Sequence, residues 1–170
     1  MKGELERNEQ QFLLKLARKA LEDYVLNKSI MKAEDFPDMP PRLKQQAACF
    51  VTLKINKGLR GCIGSIYAEL PLSQEVIRRT IDAAAHDPRF STVRPEELPQ
   101  ISIGISVLSP IEEIADYQDF IPKQHGIILS KANHRAVYLP QVASEQGWNR
   151  EQTLSHLAVK AGLAPGAWKQ

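Results

Sequence analysis

The sequence predicts an α+β domain with a mainly antiparallel sheet and flanking helices. Three observations predict it: apolar residues that recur every three or four positions, segments that alternate apolar and polar residues, and short turns between paired strand segments. With 170 residues, of which 43% are hydrophobic and 25% charged, the chain can bury a sizeable core in one compact domain of one or two lobes.

The first predicted element is an amphipathic helix from Asn8 to about Leu26, in which Asn8 and Gln11 can form a variant capping box. A proline-rich connector, DFPDMPPR, follows at residues 35–42. Its successive prolines remove backbone donors and exclude regular helix, which indicates an ordered surface linker.

A hairpin is predicted next, from a strand at residues 46–55, a turn at Asn56 and Lys57, and a second strand at residues 59–66. The remaining predictions are a helix at 73–86 capped by Ser73, a strand at 101–108, a hairpin of strands 125–130 and 134–139, a short helix from Pro140 to Gly147, and a last helix from Asn149 to Gly162.

The motif LRGCIG in the second strand is the first candidate for chemistry. A two-residue period places Arg60 and Cys62 on one face, where the guanidinium would lower the thiol pKa from its usual value of about 8.5. Gly61 and Gly64 would leave the thiol uncovered beside backbone amides that could bind a developing negative charge. On this interpretation Cys62 is a nucleophile and Arg60 tunes it.

The same residues have a structural interpretation. Unpaired cysteines are among the most buried residues, and glycines in a strand often allow a helix to pack closely across the sheet. Composition alone favours this second interpretation for Cys62, and Cys49 is assigned to the core. Both interpretations of LRGCIG stay open at this point.

A nucleophilic Cys62 needs a base, and His125 is the best candidate because it opens a predicted strand beside Gly126. The other histidines lie at a helix end, in a turn and on an apolar helix face, where solvation or packing explains them: His86, His134 and His156.

Asp87 and Arg89 form a second charged cluster after the central helix. The two side chains can pair with each other and latch the turn, or Arg89 can bind an anionic group of a substrate. The residues alone favour the latch.

Composition excludes several classes of function. The net charge is only +2 and charges of both signs are interspersed along the chain, which argues against nucleic-acid binding. No apolar run is long enough to span a bilayer and the polar start is not a secretory signal, so we expect a cytoplasmic protein with free thiols and no membrane contact. No phosphate loop, paired-carboxylate site or metal-ligand cluster is recognisable, so no cofactor or metal is predicted.

Six segments, taken in order, resemble the signature segments of the AMMECR domain family, named after the Alport syndrome, midface hypoplasia and elliptocytosis chromosomal region protein. They are LRGCIGS at 59–65, AAAHDPRF at 83–90, EEL to ISIGISVLSP at 96–110, HGIIL at 125–129, YLPQVASEQGW at 138–148 and KAGL at 160–163. The resemblance covers a signature region of residues 45–165, within one domain over 1–170. The short chain is similar to the prokaryotic branch, the A proteins of the AmmeMemoRadiSam system.

The resemblance implies a fold of two lobes with LRGCIG near the cleft between them. It also implies action beside a Memo-like protein and a radical SAM protein, although the biochemical activity of the family is not established. The residues that match the family pattern are Leu59, Arg60, Gly61, Cys62, Ile63, Gly64, Asp87, Arg89, Phe90, His125 and Gly126. We expect a small enzyme with a Cys62-centred cleft. The alternative is a binding or scaffold module for a small molecule or peptide of those partners, and the third function considered is nucleic-acid binding.

Overall fold

A computed structural model describes residues 3–169 of the chain. The chain forms two compact units, Met1–Ile111 and Glu112–Gln170, each with helices and an antiparallel sheet. The predicted α+β class is therefore confirmed, with the strands divided between two separate sheets.

Two long helices of the first unit are α1, Arg7–Asn27, and α2, Leu72–Ala85. The predicted capping residues are wrong for both. The cap of α1 is Glu6, whose N–H donates to Glu9 Oε2 at 2.8 Å, and the cap of α2 is Pro71. Ser73 lies buried inside α2, because the helix begins one residue before it.

The sheet of the first unit has the order β2-β1-β3, with β1 at Cys49–Ile55, β2 at Gly58–Gly64 and β3 at Ile101–Val107. All neighbouring strands are antiparallel. The first strand is three residues shorter than predicted, since Gln46 forms only an isolated bridge with Pro71.

One face of this sheet is covered by helices. The predicted alternation of β1 is confirmed, because Cys49, Val51 and Leu53 are fully buried in the same core as the apolar faces of α1 and α2. Burial of these side chains is the main stabilising contribution in the first unit.

Three irregular segments complete the first unit. Short 3₁₀ helices at Ala33–Asp35 and Pro41–Lys44 flank the proline-rich connector, whose Met39 is buried. The connector lies mostly at the surface, and Met39 anchors it to the core. A third 3₁₀ helix, Pro95–Gln100, leads into β3 and was not predicted.

The second unit contains a hairpin of β4, Ile127–Lys131, and β5, His134–Tyr138, followed by α3, Pro140–Gln146, and α4, Arg150–Lys160. The predicted cap of α4 is confirmed, because Asn149 Oδ1 accepts the Gln152 N–H at 2.9 Å. The strand starts later than predicted, so His125 lies two residues before β4.

Candidate functional site

The LRGCIG motif lies on β2, at one edge of the sheet. A two-residue turn joins it to β1, and both turn residues, Asn56 and Lys57, have positive φ, as this kind of hairpin turn requires. The predicted hairpin is therefore confirmed, with Gly58 already part of the strand.

A shift of register interrupts β2 at Arg60. Leu53 pairs with Gly61 while Lys54 pairs with Leu59, so Arg60 has no partner residue on β1. The extra residue breaks the two-residue period on which Arg60 and Cys62 were assigned to one face.

The guanidinium of Arg60 is bound by a carboxylate. Its Nε and Nη2 donate to the two oxygens of Glu97, at 2.7 and 3.0 Å, and both side chains are more than four-fifths buried. The pair raises the pKa of Arg60 and lowers that of Glu97. Arg60 is thus paired with a residue of the unpredicted 3₁₀ helix, and its part in tuning the Cys62 thiol stays a prediction.

Among the described residues, Arg60 Nη1 is buried without a hydrogen-bond partner. A catalytic part for Arg60 stays a prediction.

The thiol of Cys62 is half-buried, and Sγ lies 3.2 Å from Thr52 Oγ1 on the neighbouring strand. The two residues are direct cross-strand partners, and Thr52 pairs on its other side with Gly104 of β3. Cys62, Thr52 and Gly104 therefore form one row of small side chains across all three strands.

Asp87 and Arg89 bind the main chain of Cys62 at the free edge of β2. Asp87 Oδ2 accepts the Cys62 N–H at 2.8 Å, and Arg89 Nη2 donates to the Cys62 carbonyl at 3.2 Å. An edge strand has unpaired backbone groups, and here the two side chains take the place of a further strand.

The same two side chains form a bidentate ion pair. Arg89 Nε and Nη2 donate to the Asp87 oxygens at 2.9 and 2.7 Å. These hydrogen bonds, together with those from the Cys62 and Arg89 amides, hold the pKa of the Asp87 carboxyl well below its usual range although burial opposes the shift. The geometry is that of the latch, and it leaves the use of Arg89 as an anion anchor a prediction.

The two candidate glycines of the motif are explained by packing. A Cβ on Gly61 would lie 2.1 Å from the Ala83 carbonyl oxygen of α2, and a Cβ on Gly64 would lie 2.3 Å from the Phe50 ring. Both positions are already filled by protein atoms, and a part in substrate binding stays a prediction for each.

His125 belongs to the second unit. Its Nδ1 accepts the Ile121 N–H at 3.3 Å, and its own amide donates to the Ile121 carbonyl at 2.9 Å. The structure thus brings Cys62, Asp87 and Arg89 together in the first unit, while the part of His125 as a base stays a prediction.

The face of the sheet opposite α1 and α2, here called the open face, is built mostly of small and polar residues. Its three cross-strand rows are Gly64, Phe50 and Ser106; Cys62, Thr52 and Gly104; and Leu59, Lys54 and Ser102. Ser102 and Gly104 are exposed, and a Cβ on Gly104 would meet no heavy atom nearer than 4.0 Å.

Comparison with known proteins identifies the family of this chain. The model of the AMMECR1 family matches residues 14–170 of the chain. The chain belongs to the AMMECR1 family. Among its relatives, a protein of Thermococcus gammatolerans is 39% identical over 93% of this chain and 81% of its own length. A protein of Methanothermobacter thermautotrophicus is 40% identical over 95% of this chain and 86% of its own.

A solved structure of the family has the same fold. The crystal structure of the uncharacterised protein PH0010 from Pyrococcus horikoshii matches with a TM-score of 0.92 at 33% identity, over 98% of this chain and 86% of that chain.

Two residues of the open face of this AMMECR1 protein were missed from the sequence, Thr52 and Gly104. The signal for Gly104 was present, since Ser102, Gly104 and Ser106 alternate with isoleucines along β3. Thr52 could be found only once the register placed it opposite Cys62.

Two further kinds of site concern residues 3–169. No group of three or more His, Cys, Asp or Glu side chains in that range could hold a metal ion. No helix in it has the length and hydrophobicity to cross a membrane.

Proposed function

We propose that this AMMECR1 protein is a binding module, and that its ligand contacts the open face around Cys62. The observation that carries the proposal is the row of Cys62, Thr52 and Gly104, three small residues side by side on a face to which α1 and α2 contribute nothing. An exposed glycine on this face, Gly104 of the edge strand β3, allows another molecule to approach the backbone closely.

The ligand we propose is a protein surface, that of the Memo-like protein or of the radical SAM protein that the family resemblance implies as cytoplasmic partners. A sheet face is shallow, whereas a small-molecule site is concave. Leu59 at the rim is 44% exposed, and it provides an apolar contact of the kind found at protein interfaces.

The structural details favour binding over catalysis. Arg60 is committed to Glu97, and Arg89 to Asp87 and the Cys62 carbonyl. Among the described residues the side-chain hydrogen-bond partner of Cys62 is Thr52, a hydroxyl rather than a base. Within residues 3–169, no carboxylate or imidazole is hydrogen-bonded to the Cys62 thiol.

The test uses a side chain that fills the open face without disturbing the core. Gly104→Tyr adds a ring where the nearest atom is 4.0 Å from the new Cβ, and Gly166→Tyr, a glycine with nothing within 4 Å of its Cβ, is the matched control. Purified Memo-like and radical SAM proteins of the same organism are titrated against each variant by calorimetry. We expect Gly104→Tyr to abolish binding of one partner and Gly166→Tyr to retain it. Equal binding by both variants, or no binding of either partner to the wild type at micromolar concentrations, contradicts the proposal.

A second candidate function is an enzyme with Cys62 as nucleophile. The half-buried thiol favours it, because a nucleophile must be reachable by its substrate. Cys62→Ser and Cys62→Ala separate the two functions. If Cys62 belongs to a binding surface, both variants should keep most of the affinity for the partner. If Cys62 is a nucleophile, both variants should lose the activity.

Nucleic-acid binding is the third function to be tested. The net charge of +2 provides no basic surface for a phosphate backbone. We expect no salt-dependent shift of RNA or DNA by the wild type.

A further inference from the structure

We infer that the outer edge of β3 pairs with β3 of a second copy of this chain, antiparallel across a twofold axis at Ile105. β3 is the last strand on its side of the sheet, so the pairing joins two three-stranded sheets into one of six strands. The contact is separate from the open face, which lies on the flat of the sheet rather than at its edge. Because the axis is perpendicular to the sheet, the open faces of both copies lie on the same side.

The main-chain groups of alternate β3 residues point away from β1. The Leu108 N–H donates to the Ala48 carbonyl at 2.9 Å, and the direction of these groups alternates along an antiparallel strand. The register therefore directs the N–H and C=O groups of Ile103, Ile105 and Val107 outward. Within residues 3–169, no side chain or loop is hydrogen-bonded to these outward groups.

Other parts of the sheet edges are protected. At the free edge of β2, Asp87 and Arg89 bind the main chain of Cys62. At the start of β3, Arg18 of α1 donates to the outward carbonyl of Ile101. The rest of β3 has no charged side chain, proline or register shift, which are the features that keep an edge strand from pairing. An edge of this kind is a template for a strand of another chain.

The outward groups of β3 are complementary to those of a second β3. With the axis at Ile105, Ile103 lies opposite Val107 of the second copy, and the two Ile105 residues lie opposite each other. Pairs of β-branched side chains are favoured between strands. The stretch 101–110 carries no charge, so no like charges meet across the axis. The paired region begins at Ile103, which leaves the Ile101 carbonyl to Arg18.

Leu14 of α1 adds apolar surface beside this edge. It lies one turn before Arg18 on the same side of the helix, and Arg18 reaches the edge at the Ile101 carbonyl. The Leu14 side chain is 43% exposed. A strand added to β3 passes along this side of α1, and burial of Leu14 then contributes to the stability of the dimer.

Sedimentation equilibrium of the full chain, from about 1 to about 200 µM, measures the association. We expect a monomer–dimer equilibrium with a dissociation constant in the micromolar range, since one pair of edge strands forms a small interface.

Ile105→Pro removes the outward N–H at the axis and should weaken the dimer at least about tenfold. The substitution costs the monomer no hydrogen bond to β1, because the Ile105 N–H points away from that strand. Ile105→Val is the matched control, because it keeps the N–H and a β-branched side chain, and it should associate as the wild type does. Circular dichroism checks that both variants fold.

Disulfide cross-linking in a Cys62→Ser background tests the register. Gly104 should lie opposite Ser106 of the second copy as a non-hydrogen-bonded pair, with Cα atoms about 4.5 Å apart, which a disulfide can span. Two Gly104 residues are diagonal neighbours about 7–8 Å apart, which is too far. A mixture of Gly104→Cys and Ser106→Cys chains should therefore form disulfide dimers faster than either variant alone.

Three results would overturn the inference. The first is a wild type that stays monomeric at about 200 µM. The others are equal association of Ile105→Pro and Ile105→Val, and equal cross-linking of the mixture and the single variants. If the wild type is monomeric and its Ile105 amide becomes protected from hydrogen exchange only when the Memo-like or radical SAM protein is added, the edge binds a strand of that partner instead of a second copy.

Discussion

Cys49 and Cys62 lie on neighbouring strands of one sheet and meet opposite surroundings. Cys49 is on the face covered by α1 and α2, where burial, with a smaller contribution from the charge of Glu75, raises its pKa to about 12. Cys62 is on the open face, half-buried beside Thr52. The difference teaches that the face of the sheet decides which thiol can take part in chemistry or binding.

The glycines of the same sheet repeat the contrast. Gly61 lies against the backbone of α2, which fills the space where a side chain would be. Gly104 has open space above it. One glycine allows the core to close, and the other keeps the opposite face flat.

The largest expected effect concerns the two thiols. Iodoacetamide should label Cys62 in the native protein, and Cys49 at least about a thousandfold more slowly, since a fully buried thiol reacts only from the small unfolded population. Mass spectrometry of peptides from native and denatured protein measures both rates. Cys62→Ser should lose the fast reaction, and comparable native rates for the two cysteines would end the distinction between the faces.

The next largest effect is the difference in stability between alanine substitutions at Gly61 and Gly104. Gly61→Ala should destabilise the protein by about 3 kcal/mol or prevent folding, because the new Cβ overlaps the main chain of α2. Gly104→Ala should change the free energy of unfolding by less than about 1 kcal/mol. Urea denaturation compares the two variants, and similar losses would show that α2 can shift to make room.

The Asp87 latch can be broken at one atom. Asp87→Asn removes the carboxylate that accepts the Cys62 amide and pairs with Arg89, and should cost about 2 kcal/mol in the free energy of unfolding. Asp23→Asn is the control, because its pair with Lys19 is exposed and should contribute less than about 0.5 kcal/mol. Faster hydrogen exchange at the Cys62 amide in Asp87→Asn alone would locate the loss at the edge of β2. A wild-type exchange rate there would contradict the latch.

Low pH should lower the free energy of unfolding through the same carboxylate, by less than the substitution Asp87→Asn does. The folded protein holds the pKa of Asp87 below its unfolded value, so its contribution is complete above about pH 4 and is lost as the pH falls from there toward the folded pKa. With an unfolded pKa of about 3.9, the loss from Asp87 amounts to about 1 kcal/mol between pH 5 and pH 3. Asp87→Asn should flatten the pH dependence by this amount, and Asp23→Asn should not. If the free energy of unfolding of Asp87→Asn depended on pH as that of the wild type does, Asp87 would not be the source of the acid sensitivity.

Much of the fold was predictable because its elements carry local signals. Apolar spacing located α1, α2 and α4, and alternation located β1 and β3. The local signals did not locate the first residues of the helices. Ser73 has a side chain typical of a helix cap, yet Pro71 occupies the cap position of α2. The 3₁₀ helix Pro95–Gln100 was missed because a segment with two prolines lacks helical spacing.

The candidate site was predictable only in part. The residues of LRGCIG and the Asp87–Arg89 pair were found, and the paired geometry that composition favoured is the one observed. The shared face of Arg60 and Cys62 stays a prediction, because the register shift adds one residue at Arg60 and a two-residue period cannot continue through an unpaired position.

By itself, the sequence determined the fold class, the elements with strong periodicity, the AMMECR1 motif segments and the small net charge. Those properties depend on spacing along the chain and on composition. Only the tertiary structure decided that Glu97 forms an ion pair with Arg60 and that Asp87 and Arg89 bind the Cys62 backbone. It also decided that Thr52 and Gly104 lie in one row with Cys62. These contacts join residues 10 to more than 50 positions apart, and their partners are fixed by strand register and helix packing rather than by any local preference.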